Sequence, residues 1–152
     1  MSSPDLVIRN ALVIDGTGAP GRHGDVAVTG DRISLVAPII PQKGRQEIDA
    51  NGLALSPGFI DAHTHDDRAV LARPDHACKT SQGCTTVVVG NCGISLAPVL
   101  FDADPPPPMN LLGSASAYQF PSFAAYAAAL RDAAPAVNVA ALVGHSALRL
   151  AT

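Results

Sequence analysis

Three short polar segments carry the side chains best suited to chemistry. His63-Thr64-His65 follows the apolar stretch Phe59-Ile60-Asp61-Ala62, Asn91-Cys92-Gly93 follows the β-branched run Thr85–Val89, and Gly144-His145-Ser146 follows Asn138–Val143. Neutral imidazole suits Zn²⁺ at a bond length of about 2.0–2.1 Å, and a thiolate is an equally good zinc ligand. In an extended chain, residues i and i+2 point to the same side. His63 and His65 can therefore aim both rings at one ion, and Asp61 has the same parity. In parallel α/β folds, ligands gather at the C-terminal ends of the strands. Here three separate strand ends deliver metal-type ligands to one face, which packing alone does not account for.

Each of these residues also has a plainer reading. A free cysteine is usually a small buried hydrophobe, and Cys78, in a helical stretch, and Cys84, at the start of a strand, fit that description. Cys92 differs, because Gly90 and Gly93 let the backbone turn sharply and present the thiol. His145 could contact substrate, transfer a proton or simply be hydrogen-bonded at a strand end, and substrate contact is the expectation. Ser146 lacks the Gly-x-Ser-x-Gly elbow of a nucleophile. His23 and His76 are expected in solvent, and Asp66-Asp67 is expected to solvate a loop rather than reach the metal.

The elements that position these groups divide the chain. Before Leu53 the sequence reads as short strands: Leu6–Ile8, Ala11–Ile14, Asp25–Thr29, Ile33–Ala37 and Glu47–Ala50. Asp15-Gly16-Thr17-Gly18 and Gly30-Asp31 are turns. From Leu53 the pattern becomes strand (54–62), short helical pieces (68–72 and 75–82), strand (84–89), helix (123–134, N-capped by Ser122) and strand (138–143). The prolines at 105–108 predict an extended, stiff surface loop. Alternation of strand and helix implies a parallel sheet. Residues 1–53 are thus expected to form a small all-β domain. Residues 54–152 are expected to form the first three β/α units of a larger α/β architecture, since three strands cannot close a barrel that takes about 250 residues.

Composition narrows the class. Of the 152 residues, 47% are hydrophobic and 15% charged, which excludes a disordered tail, and three cysteines are too few for a disulfide scaffold. The odd cysteine count favours free thiols or metal ligands. A formal charge of −3 argues against nucleic acid as a partner. No apolar run approaches the roughly 18 residues of a membrane span, so no membrane partner is expected. The start, Met1-Ser2-Ser3-Pro4-Asp5, has no signal-peptide pattern. The expected compartment is cytoplasmic.

Ile48-Asp49-Ala50-Asn51-Gly52 followed by Pro57-Gly58-Phe59-Ile60-Asp61-Ala62-His63-Thr64-His65 resembles the opening of the amidohydrolase superfamily. Gly83-Cys84-Thr85-Thr86-Val87-Val88-Val89-Gly90-Asn91-Cys92-Gly93-Ile94-Ser95, with Val143-Gly144-His145-Ser146, is similar to the N-acyl-D-amino-acid deacylase (D-aminoacylase) branch. The resemblance spans essentially the whole chain. It implies a metal-dependent (β/α)₈ TIM barrel with a small β domain, incomplete in this chain. It implies one or two Zn²⁺ ions, with His63 and His65 as first-strand ligands and Cys92 as the ligand that many relatives replace by a carboxylated lysine. The family's remaining ligands and its aspartate base fall beyond Thr152, so no catalytic base is named. The implied substrate is a small molecule, an N-acyl-D-amino acid, hydrolysed to a carboxylate and a D-amino acid. A hydantoinase- or dihydroorotase-like cyclic amidohydrolase is the alternative, and the Gly-Asn-Cys-Gly segment argues against it. A truncated chain that binds zinc weakly and lacks activity is the non-catalytic alternative.

Overall fold

The structure is a computed structural model that describes residues 3–152. It divides into two compact units, Met1–Pro57 and Gly58–Thr152.

The first unit is a five-stranded sheet. Strands β1 (Leu6–Val13), β2 (Arg22–Thr29), β3 (Arg32–Ala37) and β4 (Gln46–Asp49) lie in the order β3-β2-β1-β4, and β5 (Ala54–Leu55) also pairs with β1. The two expected segments 6–8 and 11–14 are one strand. Its register against β2 shifts between Ile8 and Ala11, where Asn10 adopts φ 55°. The polar pair Arg9-Asn10 suggested a break, but partners distant in sequence satisfy it. Arg9 pairs with Asp25 at 3.1 Å and Glu47 at 2.6 Å, and Asn10 donates to Asp49 at 2.9 Å. Val7, Ala27 and Ile40 form one small buried cluster, and Ala11, Val13 and Val26 a second.

The second unit holds a three-stranded parallel sheet, β6 (Phe59–Asp61), β7 (Cys84–Val89) and β8 (Asn138–Ala141), in the order β6-β7-β8. The helices are α1 (Ala69–Ala72), α2 (Ala77–Thr80), α3 (Phe123–Ala133) and α4 (His145–Ala151). The expected continuous strand 54–62 is divided, because Pro57 has no N–H to donate to a ladder. Gly58 then lies so close to Thr85 that an added Cβ would fall 2.2 Å from its side chain. Nor are the outer strands buried as expected: Phe59 is 60% and Ile60 66% exposed. Only β7 has neighbours on both sides, and its Val87 and Val89 are fully buried.

Helix α3 matches its sequence signals. The Ser122 side chain accepts the Ala125 amide at 3.2 Å, an N-cap that satisfies one of the orphan donors of the first turn. Phe123, Tyr126 and Leu130 share one face and pack on the core of Val87, Val89, Ile94, Leu96 and Val99. Fully burying an apolar side chain contributes about 1.5–3 kcal/mol, and the half-buried Phe123 and Leu130 contribute less than that. The prolines at 105–108 are not extended throughout: Pro107 and Pro108 form a turn, with Pro108 at φ −89°, ψ 4°. Among the described residues, no helix is long and apolar enough to cross a membrane.

Candidate metal centre

Parallel pairing places the ends of β6 and β7 together, with Asp61 opposite Val87. The chain beyond each strand carries the candidate ligands. Alternation of sides continues past the end of β6: Thr64 is buried while His63 and His65 are exposed. The Thr64 amide still donates to Val88 O at 3.2 Å, which keeps the segment extended beside β7. The i, i+2 expectation therefore holds, although the histidines lie beyond the strand.

Cys92 is delivered by a tight reversal. Gly90 has φ 79°, Cys92 φ 55° and Gly93 φ 77°. Gly90 is also pinned by sterics, since an added Cβ would lie 2.1 Å from Leu142 O. The result brings His63 Nε2 to 3.1 Å from Cys92 Sγ. The His63 and His65 rings meet edge-on at 5.9 Å. One donor atom from each of His63, His65 and Cys92 lies within 4.8 Å of the others. In a tetrahedral zinc site, donor atoms are about 3.3–3.6 Å apart, from bonds of about 2.0–2.3 Å. Two imidazoles and a thiol already this close, and open to solvent, fit Zn²⁺.

The other sequence candidates fall elsewhere. His145 is the first residue of α4, exposed and outside the three-donor cluster, with its backbone beside Gly93. Cys78 is on α2 and Cys84 begins β7; neither joins the cluster, and Cys78 is exposed rather than buried. His23 is exposed, as expected. His76 is not: it is 2% exposed, with Nε2 3.3 Å from Asp66 Oδ2.

Asp66 and Asp67 do not solvate a loop either. Asp66 pairs with Lys79 at 3.3 Å as well as with His76. Burial opposes its charge, but the Thr64 hydroxyl, Lys79 and His76 hold its carboxyl below the usual range. Asp67 is fully buried, and neither carboxylate oxygen has a hydrogen-bond partner. Burial pushes it up to about 6, opposed in part by the nearby Gly90 amide. Its own carbonyl accepts the Tyr126 hydroxyl at 2.9 Å, which ties α3 to the segment after His65. Asp61 is no member of the donor cluster. Its Oδ1 accepts the His63 amide at 3.3 Å, and a hydrogen bond from Lys79 to Oδ2 holds its carboxyl below the usual range. Sequence reasoning missed Lys79 and the burial of Asp67. Only the oddity of two adjacent aspartates after the histidines pointed toward them.

The model of the amidohydrolase family matches residues 46–151. The chain is 50% identical over 147 residues to a D-aminoacylase of Alcaligenes xylosoxydans xylosoxydans, covering 97% of this chain and 30% of that protein. It is 51% identical to an N-acyl-D-aspartate deacylase of the same organism, covering 97% and 29%. It is also similar to the crystal structure of N-acyl-D-glutamate deacylase from Bordetella bronchiseptica in complex with zinc and a phosphonate mimic of the tetrahedral intermediate. That match has a TM-score of 0.89 and 45% identity, over 99% of this chain and 31% of the other. The chain thus spans about 30% of the length of the curated relatives it matches.

Proposed function

The chain belongs to the amidohydrolase family, and from that premise we propose that it supplies the first metal ligands of a zinc-dependent hydrolase of N-acyl-D-amino acids. The observation that carries this reading is the convergence of His63, His65 and Cys92, with donor atoms within 4.8 Å, past the ends of parallel strands. On this reading the second unit is the opening of a (β/α)₈ barrel and the first unit a small β domain. His63, His65 and Cys92 would hold one or two zinc ions. Bound there, zinc supplies Lewis acidity toward an acyl oxygen and a water acidic enough to react near neutral pH.

The chain's own residues set the rest. Asn91 fixes the Cys92 reversal by donating to Val88 O at 2.7 Å and Thr64 O at 3.2 Å. His145 would contact the substrate from the start of α4, in the segment that follows β8. The products would be a carboxylate and a free D-amino acid, and similarity to the deacylases above supports the D configuration.

The test is to assay the protein carrying this chain for amine release from paired N-acetyl-D- and N-acetyl-L-amino acids, neutral and acidic. The expected result is D-selective hydrolysis that is lost with a zinc chelator, restored by zinc, and absent in Cys92→Ser. Equal turnover of the L forms, or activity that survives chelation, would overturn the reading.

A further inference from the structure

The two histidine side chains are exposed, whereas Thr64 between them and Asp67 beyond them are buried, so packing holds the segment but leaves the two imidazoles uncovered. What flanks them is electrostatic. Asp61 precedes the pair and Asp66 follows it, and both carboxylates converge on one ammonium, that of Lys79 on α2. The two arms reach back to the ligand segment in different ways. Asp61 accepts Lys79 on Oδ2 and the His63 amide on Oδ1. Asp66 Oδ2 accepts Lys79 and also meets the buried His76 Nε2, both at 3.3 Å. The segment between them is pinned at its centre by the Thr64 amide on Val88 O.

An ammonium suits this job better than a guanidinium. It is a compact charge with three freely oriented donors, so it can serve two carboxylates at once. We propose that Lys79 is a positioning residue for the metal-binding segment: it clamps Asp61 and Asp66 together and so presets the backbone from which His63 and His65 reach the ion. The proposal rests on the zinc reading of the site. It adds a residue 14 positions beyond His65 whose ammonium bonds to the two carboxylates.

The test measures metal affinity of the full chain with Zn²⁺ alone, by competition with a chromophoric chelator. The thiolate-to-cobalt charge-transfer band of the Co²⁺ form gives a second signature. Partners behind metal ligands typically contribute about 10–100-fold in affinity. Lys79→Met should lose that much and shift the cobalt band, while Lys79→Arg recovers part of the loss. Asp66→Asn, which removes one arm, should fall between wild type and Lys79→Met. Lys43→Met, which removes an exposed cation of the first unit, should bind as wild type. Affinities are referred to the folded fraction from circular dichroism. Wild-type affinity in Lys79→Met overturns the proposal. So does a loss fully accounted for by unfolding and not relieved in Lys79→Arg or graded in Asp66→Asn. If the wild-type chain itself shows no cobalt–thiolate band, the zinc reading fails and the proposal falls with it.

Discussion

Asn91 donates its side-chain amide to the carbonyl of Thr64 at 3.2 Å, across 27 positions of sequence. Thr64 sits between the two histidines and Asn91 immediately precedes the cysteine. One hydrogen bond therefore links the two backbone segments whose side chains form the donor cluster. The same amide also satisfies Val88 O at 2.7 Å, so both donors of Asn91 are used.

Asn91→Ala removes both donors, which takes away the side-chain partner of Thr64 O and leaves Val88 O with the Thr64 amide alone. The expected cost is about 1–2 kcal/mol of folding stability, read as a lower denaturation midpoint. Asn91→Asp should cost more, because it points acceptors at acceptors. A midpoint unchanged in both variants would show that the link is dispensable.

Gly90 and Gly30 separate backbone strain from crowding. Both have positive φ, 79° and 59°, but a Cβ at Gly90 would lie 2.1 Å from Leu142 O, whereas at Gly30 nothing lies within 4 Å. Gly30→Ala should cost only about 1 kcal/mol, the usual penalty of a left-handed non-glycine residue. Gly90→Ala carries that penalty and forces the β7 and β8 ends apart, so its loss should be more than about 3 kcal/mol. Denaturant titration of the two variants decides, and comparable losses would contradict the packing described here.

Local signals account for what could be read from sequence. β7 spans Cys84–Val89 as its β-branched run implies, and α3 starts after Ser122 because a side-chain cap and a 3.6-residue apolar period act within one turn. The donor cluster was legible for a related reason. His63 and His65 differ by the strand period, and the glycines around Cys92 mark a reversal. Burial was less legible. His76 reads as an ordinary loop histidine until Asp66 is seen beside it, and Lys79 reads as a surface cation until both its carboxylates are placed. The division of the strand at Pro57 turned on a competition between partners. Leu55 pairs with β1 and Phe59 with β7, and no local periodicity reveals which partner wins.

Asp15 predicts a pH effect in the first unit. Hydrogen bonds from the Thr17 hydroxyl and amide, then from Arg22, lower its carboxyl to about 2. A lowered folded-state pKa means that the stabilisation is fully present above the ordinary value of 3.8 and is lost as pH falls toward 2. Asp15→Asn should therefore be less stable than wild type at pH 5, with the difference closing by about pH 2. Denaturation midpoints across that range test it, and a gap that stays constant or widens in acid would refute the assignment.

Zinc should discriminate among the three cysteines. Cys92 and Cys78 are both exposed, so both should react with iodoacetamide in metal-free protein. Cys84 is half-buried and should react more slowly. Coordination ties up the thiolate that alkylation requires. Saturating zinc should therefore slow labelling of Cys92 by about tenfold or more, and leave Cys78 unchanged because it lies outside the donor cluster. Acidification should reverse the protection, since protons compete with the metal for imidazole and thiolate. His63→Ala should abolish it at the same zinc concentration, because His63 Nε2 is the nitrogen 3.1 Å from the sulfur. Peptide mapping by mass spectrometry reads each cysteine separately. Protection of Cys78 to the same degree would indicate adventitious zinc, and no protection of Cys92 would remove the thiolate from the ligand set.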